Sequence, residues 1–510
     1  MEQLDIFGLM YEKKELKDIH LIELFAGYGS QALALKYLGV QFKHHKICEW
    51  AVKSIQAYND LHIQDYTNYS KDIEDKDMAD ILFNKGISMD YNQPMTLEQI
   101  KRKGIQWQRN VYNNIIATHN LVDISRVHAA DLEIRGGQDH IMTYSFPCQD
   151  LSLAGLGKGM GRDSGTRSGL LWQVERILLE CKELGTMPTV LLMENVPEVC
   201  GTNNQQQFSE WCSQLTRLGY HNTMAILNAK DFGIPQNRRR CFMLSIYGEY
   251  AFTMPTEMKL EYKLKDLLEK NVDEKYYLSG KQISEIQKWN AYEKPLENME
   301  NIDRNNISPT LTTRTSAYAA GMILIKDNLK QELCDKLIEN NMVEEGDVIR
   351  HSYTHNRLDN GIDNMGRTQN KDNRLAPTLD TRCDCLGVVV KTNEEDYMGT
   401  YQYAKSDNFM QGKERLQKGK EVADTLQTNG KEGIIYSNLR IRKLTPRECF
   451  RLMGVLDEDS DKIKQSDASM YHLAGDSIVS TCLMAIFGKL LCIDYESKIK
   501  ELTRGMVNND

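Results

Sequence analysis

Pro147-Cys148-Gln149 is the stretch of this chain whose residue types point most directly to chemistry. An apolar run at 141–145 reads as a short strand, and Phe146-Pro147 delivers the cysteine at its end. Gly155, Gly157, Gly159, Gly161, Gly165 and Gly169 follow, interleaved with Lys158, Arg162 and Arg167. A thiol fixed by proline at a strand end, ahead of a glycine-rich basic loop, suits a nucleophile covered by a closing lid. The glycine-rich stretch lacks the spacing and the Ser or Thr of a phosphate loop. A second strand end, after 189–193, carries Glu194-Asn195-Val196-Pro197, a carboxyl that a shared crevice would turn into a proton donor or acceptor. A third segment, Gln236-Asn237-Arg238-Arg239-Arg240, precedes a strand at 241–246. Alternation in an extended chain puts Gln236, Arg238 and Arg240 on one face. Taken by residue type alone, Glu194 could equally be a capped, solvated acid, and the three arginines a solvated basic run.

A separate group suits a nucleotide-like ligand. Residues 19–24 form an apolar strand that runs into Phe25-Ala26-Gly27-Tyr28-Gly29 and then a helix at 31–38. Glycines at that turn let a ligand approach the backbone at the top of a sheet, although the third glycine of the dinucleotide pattern is missing. The next strand, 43–48, ends at Glu49-Trp50, an acid suited to ribose hydroxyls beside a flat ring suited to a base. Asp131 is a further candidate acceptor, for an exocyclic amino group.

The elements that must position these residues alternate: short apolar strands, with helical patterns at 170–184 and 205–218 between them. That is the signature of an α/β fold, a doubly wound, mostly parallel sheet. Residues 59–128 interrupt the rhythm as a polar insertion with one expected helix at 96–118. From 248 to 436 the periodicity weakens and a degenerate repeat appears: Ser308-Pro309-Thr310-Leu311-Thr312-Thr313-Arg314, Ala376-Pro377-Thr378-Leu379-Asp380-Thr381-Arg382 and Ala423-Asp424-Thr425-Leu426-Gln427-Thr428. Each copy precedes a β-branched or apolar run, at 322–325, 388–390 and 434–436, which predicts three β-units in a second, smaller domain. The tail from 440 to 491 reads as helical, with Thr445-Pro446-Arg447-Glu448 as a capped start.

Composition bounds the reading. The 510 residues allow two or three domains, and 41% apolar with 26% charged residues is ordinary for a soluble protein. No run is apolar for the twenty or so residues of a membrane helix, and the first 17 residues mix both charges, so the expectation is a cytoplasmic chain. Twelve cysteines show no zinc-ligand spacing, which predicts no metal. The net charge of −9 tells mildly against coating of DNA by bulk charge, so a nucleic-acid enzyme of this composition must concentrate its cations locally.

In chain order, Phe-Ala-Gly-x-Gly, Glu-Trp, Pro-Cys-Gln, Glu-Asn-Val and Gln-x-Arg-x-Arg resemble the motifs of the DNA cytosine-5 methyltransferase family, bacterial or phage type. Lys443-Leu444-Thr445-Pro446-Arg447-Glu448 with Gly475-Asp476-Ser477-Ile478 is similar to its last motif, and Pro309-Thr310-Leu311-Thr312 to its penultimate one. The resemblance implies the fold of S-adenosylmethionine-dependent methyltransferases. It assigns 1–247 and 437–510 to a catalytic and cofactor-binding domain and 248–436 to a β-rich target-recognition domain. It further implies that Cys148 adds to carbon 6 of a flipped cytosine, that Glu194 protonates ring nitrogen 3, and that Arg240 meets the exocyclic oxygen with Arg238 in support. Phe25, Gly27, Gly29, Glu49, Trp50, Asp131, Leu170 and Ser477 would hold S-adenosylmethionine, and Pro147, Gln149, Asn195 and Gln236 would contact the substrate. The implied partner is double-stranded DNA, bound by a monomer, with any cognate restriction endonuclease acting separately. An RNA cytosine-5 methyltransferase and a catalytically silent DNA-binding relative are the alternatives. The large repeat-bearing region argues against the first, and the intact Pro147-Cys148-Gln149, Glu194 and Arg240 against the second. The chain departs from the family in three ways: Asp476 stands where asparagine is usual, the insertion at 59–128 is long, and the repeat occurs three times.

Overall fold

The computed structural model describes residues 15–147, 161, 167–248, 250–277 and 440–507, together with the backbone of short strands between 302 and 414. Cys148, Gln149, most of the glycine-rich loop, the second and third repeat copies and the run at 434–436 lie outside the described residues.

A six-stranded sheet organises the first half. Its strands are β1 (Ile19–Leu24), β2 (Phe42–Cys48), β3 (Asp139–Tyr144), β4 (Val190–Asn195), β5 (Tyr220–Asn228) and, after the two-residue β6 (Gln236–Asn237), β7 (Arg239–Tyr247). The order is β2-β1-β3-β4-β7-β5. β1, β2, β3 and β4 pair in parallel, whereas β7 runs antiparallel to both β4 and β5. The sheet is therefore mixed: the expected parallel pairing holds from β2 to β4, and β7 and β5 add antiparallel pairs. The unforeseen element is β5, an edge strand whose first half is polar at His221, Asn222 and Thr223 and whose short apolar run, 224–227, leaves Met224 and Ile226 exposed. Central β1 and β4, by contrast, are buried along their whole length, which is why they read so clearly as apolar runs.

Helices cover both faces. α1 (Ser30–Tyr37) follows β1. α2 (Val52–Tyr58) follows β2, and the insertion contributes α3 (Asp75–Lys85), α4 (Leu97–Lys101) and α5 (Ile105–Ala117); α6 (Leu171–Leu184) and α7 (Gln205–Arg217) are the crossovers around β4. α6 and α7 bury Leu178, Trp172 and Trp211 against Met142 and Tyr144 on one face. The tail forms β16 (Arg440–Lys443), α8 (Pro446–Leu452), α9 (Asp457–Ser460), α10 (Asp467–Asp476), α11 (Ser480–Leu491) and α12 (Tyr495–Val507), with numbering that leaves β8 to β15 for the strands below. Phe450, Leu483 and Phe487 from this tail pack with Leu33 and Leu35 of α1 against Leu21 and Leu192 on the opposite face. Lys36 and Tyr37 lock the arrangement by binding the buried Asp459 carboxylate at 2.6 and 2.9 Å. The expected cap of α8 is present: Thr445 accepts from the Glu448 amide and the Glu448 carboxylate accepts from the Thr445 amide, with Pro446 at the first position. No single helix among the described residues is long and apolar enough to cross a membrane.

The single helix expected at 96–118 is two. Thr96 and Gln99 form a capping box that starts α4, and Gly104 caps α5, because glycine inside a helix costs about 1 kcal/mol and here breaks it. α3 was not foreseen. These helices share a core built from Ile55, Leu82, Ile87, Val111 and Ile115, against which Trp50 packs.

Between 302 and 414 lie β8 (Ile302–Asp303), β9 (Ser308–Pro309), β10 (Met322–Ile325), β11 (Val348–Ile349), β12 (Tyr353–Thr354), β13 (Leu386–Val390), β14 (Thr400–Gln402) and β15 (Lys413–Glu414). A second sheet has the order β16-β10-β14-β13-β11-β8, with β10 also pairing parallel to β13. The apolar runs after the first and second repeat copies are thus neighbours. β9, which holds the start of the first copy, pairs with β6 so that Gln236 faces Ser308.

Candidate active site

The carboxyl ends of β1 and β2 form one edge. β1 gives way to Phe25 with a positive φ of 59°, and the Phe25 amide donates to the Cys48 carbonyl at 2.8 Å, tying the turn to the end of β2. Gly29 has φ 86°, and a Cβ there would meet the His62 and Tyr58 rings at 2.5 and 2.7 Å, so only glycine fits. Gly27 also has positive φ, but open space lies where its Cβ would be. Its amide donates to the Glu49 carboxylate at 2.9 Å, and the Ala51 amide donates to the other oxygen at 2.7 Å. Burial, opposed by these amides and assisted by the Asp476 charge, raises the Glu49 carboxyl to about 7.

The end of the insertion grips this edge. The Glu49 amide donates to the Asn120 side chain at 3.0 Å, and that side chain donates back to the Glu49 carbonyl at 2.9 Å. Cys48 Sγ donates to the Val122 carbonyl, which brings Asp123 to the end of β2. Trp50 is half-buried against the insertion core. Tyr91 reaches from the insertion to the His472 ring of α10 at 4.0 Å, and both Glu49 and Asp476 act on its hydroxyl electrostatically. Beneath the glycine turn, buried Glu23 accepts from Tyr58 Oη at 2.6 Å and from the Ala32 amide, and burial raises its carboxyl to about 7.

The ends of β3, β4 and β7 form the second edge. Glu194 is buried. Its carboxylate lies 3.1 Å from Arg240 Nε and accepts from Ser145 Oγ at 3.0 Å. Burial raises its carboxyl above the ordinary range against the pull of Arg240, Arg238 and Ser145, with Asp476 adding to the rise. The chain that leads into Cys148 is held at two successive carbonyls: Asn195 Nδ2 donates to Phe146 O at 2.9 Å, and buried Ser168 donates to Pro147 O at 2.7 Å. A buried acid with a raised carboxyl thus stands beside a backbone pinned immediately before a cysteine.

Residues 98–492 match the family of C-5 cytosine-specific DNA methylases. The chain belongs to this family. Among its relatives, the orphan methyltransferase M.SssI of Spiroplasma monobiae is 37% identical over 273 residues, 52% of this chain and 69% of the relative. The type II methyltransferase M2.ScrFI of Lactococcus lactis subsp. cremoris is 38% identical over 271 residues, 52% and 72% of the two chains. The orphan methyltransferase M.SPRI of Bacillus phage SPR is 24% identical over 416 residues, 74% and 88%. The chain is a DNA cytosine-5 methyltransferase by family, and S-adenosylmethionine is the donor this family uses.

Within this methylase, the structure redistributes several roles expected from the sequence. Gln236, Arg238 and Arg240 do not meet one partner. Gln236 is fully buried and donates to Leu452 O at 2.6 Å, so its side chain faces the protein and not a substrate. Arg238 is buried and donates to Ser477 O and Gly475 O at 2.6 and 3.1 Å, so it is a positioning residue that joins the β6–β7 segment to the tail. Arg240 alone reaches Glu194. Asn195 likewise binds backbone. Ser477 Oγ donates to Tyr28 Oη at 3.0 Å, and Leu170 packs part-buried at the start of α6. Asp131 is exposed, on a short 3-10 turn where it caps the His128 amide at 2.8 Å, and the turn meets β2 back at His45 through Leu132 O. The insertion residues that meet the Glu49 edge are instead Asn120, Asp123 and Tyr91. Sequence reading missed these and Ser168, since none belongs to a spaced motif; Asn120-Leu121-Val122, an apolar pair after an amide near the end of the insertion, was the available signal.

Proposed function

We propose that the chain methylates carbon 5 of cytosine at a short specific sequence in double-stranded DNA, by covalent catalysis at Cys148. The observation that carries this reading is Glu194: buried, with a raised carboxyl, in contact with Arg240 and beside the pinned Phe146-Pro147 backbone. The Cys148 thiolate forms a bond to carbon 6 of the flipped base while Glu194 gives a proton to ring nitrogen 3, which accepts the electron pair displaced from the ring. Arg240 is positioned through Glu194 to meet the exocyclic oxygen. S-adenosylmethionine supplies the methyl group from its sulfonium when bound. Once carbon 5 carries the methyl group, its proton passes to a water acting as base, the electron pair released expels the Cys148 thiolate from carbon 6, and ring nitrogen 3 returns its proton to Glu194, which restores the ring. Gln149 and Pro147 shape the base pocket, and extrusion of the base costs about a few kcal/mol.

The first edge fits the cofactor. Open space at Gly27 admits the donor against the backbone, Glu49 is held so that its remaining lone pairs can accept two ribose hydroxyls, and the part-exposed ring of Trp50 can stack on adenine. Phe25, Gly29, Leu170 and Ser477 complete the wall; the position of Asp131 removes it from this reading, and Asp123 takes its place. Residues 248–436 read the target through the grooves. The pairing of Ser308 with Gln236 supports the first repeat copy as the one coupled to the catalytic domain. The enzyme acts as a monomer, and any companion endonuclease acts separately.

Bisulfite sequencing of DNA from cells that express the chain tests this reading. Protected cytosines should fall at one short sequence and vanish with Cys148→Ser; complete conversion with intact, folded protein would contradict it.

A further inference from the structure

Three histidines converge at the end of the sheet opposite the active site. His20 lies in β1 and His140 directly beside it in β3. β2 carries one extra residue there: Leu21 pairs with His44 and Ile22 with Lys46, so the register skips His45. That bulge sets His45 against the other two, a common use of bulges. The ring centroids form a nearly equilateral triangle with sides of 4.9, 5.2 and 5.2 Å. One nitrogen from each ring lies within 4.8 Å of the other two.

The outward nitrogens are already spoken for. His45 Nε2 lies 2.8 Å from the Leu132 carbonyl, which fixes its proton there. His20 Nε2 lies 3.3 Å from both the Asp18 carboxylate and the Lys43 ammonium; a metal on Nδ1 puts the ring proton on Nε2, toward Asp18, and leaves Lys43 to the carboxylate. His140 bonds the Gln138 backbone, and its Nε2 is buried without a partner. Carbonyl or carboxylate behind each imidazole is the arrangement that orients histidines toward a metal. The inward set is then His20 Nδ1, His45 Nδ1 and His140 Nε2, with the first two 3.1 Å apart. A proton shared between His20 and His45 would satisfy two of these nitrogens and leave buried His140 Nε2 bare, a costly state. A divalent cation satisfies all three.

We propose that His20, His45 and His140 bind one divalent transition-metal ion of the zinc class, with solvent reaching a fourth position past part-buried His45. Three neutral imidazoles and a water suit zinc, and also nickel or copper, whereas calcium and magnesium prefer oxygen. Asp18 supplies compensating charge on the outside and also holds the exposed Lys43 ammonium at 3.3 Å. From His20 to the end of β1 is four residues, about 13 Å at roughly 3.3 Å each, so the ion staples β1, β2 and β3 and takes no part in methyl transfer.

Cobalt(II) is the probe. Titrated into metal-stripped full-length protein, it should give visible d–d bands that saturate at one equivalent, without the near-ultraviolet charge-transfer band of thiolate ligation, and zinc should abolish them. His45→Gln should lose the bands with the circular dichroism unchanged. Asp18→Asn, at a half-exposed position, should weaken binding about tenfold, the usual cost of losing an outer partner. Thermal stability of the parent protein should rise on adding zinc and that of His45→Gln should not. Absence of d–d bands in excess cobalt, or bands unaltered in both variants, would overturn the proposal.

Discussion

Glu49 and Glu194 are both buried carboxyls at strand ends of one sheet, and burial raises both. Their partners differ. Glu49 is held by the neutral amides of Gly27 and Ala51, whereas Glu194 is held by the Arg240 guanidinium and the Ser145 hydroxyl. Amides fix a carboxylate in place and leave it free to accept more hydroxyls. A guanidinium lets an acid lose its proton to a base and remain stable as the anion. On the function proposed above, the same residue type serves as a ligand clamp at one edge and a proton source at the other, through the difference in their partners.

Removing the proton source should have the largest effect. Glu194→Gln should lower methyl transfer by at least about a hundredfold, as for other acid–base groups, with S-adenosylmethionine affinity near normal. Single-turnover kinetics with calorimetry separates the two, and undiminished turnover would take Glu194 out of the mechanism. Next in size is the clamp. Glu49→Gln should weaken cofactor binding by roughly tenfold or more, since a hydrogen bond to a charged group contributes about 1.5–3 kcal/mol, without slowing transfer at saturation. Because the Glu49 carboxyl sits at about 7 and the ribose hydroxyls favour its anion, cofactor affinity should rise as pH increases through about 7. A flat profile for the parent protein between pH 6 and 8 would break the clamp assignment, and Glu49→Gln should flatten it.

Glu23 gives a smaller, stability-linked effect. Its folded value of about 7 lies above the ordinary value of 4.5, so its contribution is fully present below 4.5 and is lost as pH rises through about 7. Stability of the cofactor-free enzyme should therefore fall across that window by up to roughly 1.4 kcal/mol per pH unit from this group. Urea unfolding of Glu23→Gln should show a shallower slope. The smallest effect belongs to Asp476, whose charge raises both Glu49 and Glu194. Asp476→Asn should shift the midpoints for cofactor binding and for transfer downward together; movement of only one would show that the carboxylate does not face both edges.

The central strands and the order of the motifs were legible because they are short, apolar and buried on both faces, as in β1 and β4. β5 was not, because an edge strand can keep polar residues. Alternation put Gln236, Arg238 and Arg240 on one face but could not tell which of them reaches Glu194: Arg240 forms the ion pair, whereas Arg238 turns to the Ser477 carbonyl. Asn120, Ser168 and Tyr91 act through backbone carbonyls or ring contacts that carry no sequence signature. The histidine triad escaped for a related reason, since positions 20, 45 and 140 become neighbours only through strand order and a bulge.

The most direct test of the Cys148–Glu194 edge is covalent trapping on duplex DNA that contains 5-fluorocytosine at the target site, with S-adenosylmethionine present. Fluorine at carbon 5 blocks the final elimination, so the intact enzyme should accumulate as a denaturation-resistant adduct whose peptide maps to Cys148. Glu194→Gln should form the adduct far more slowly and Cys148→Ser not at all. An adduct of equal yield with Cys148→Ser, or none with an intact enzyme that methylates the unfluorinated duplex, would contradict the account.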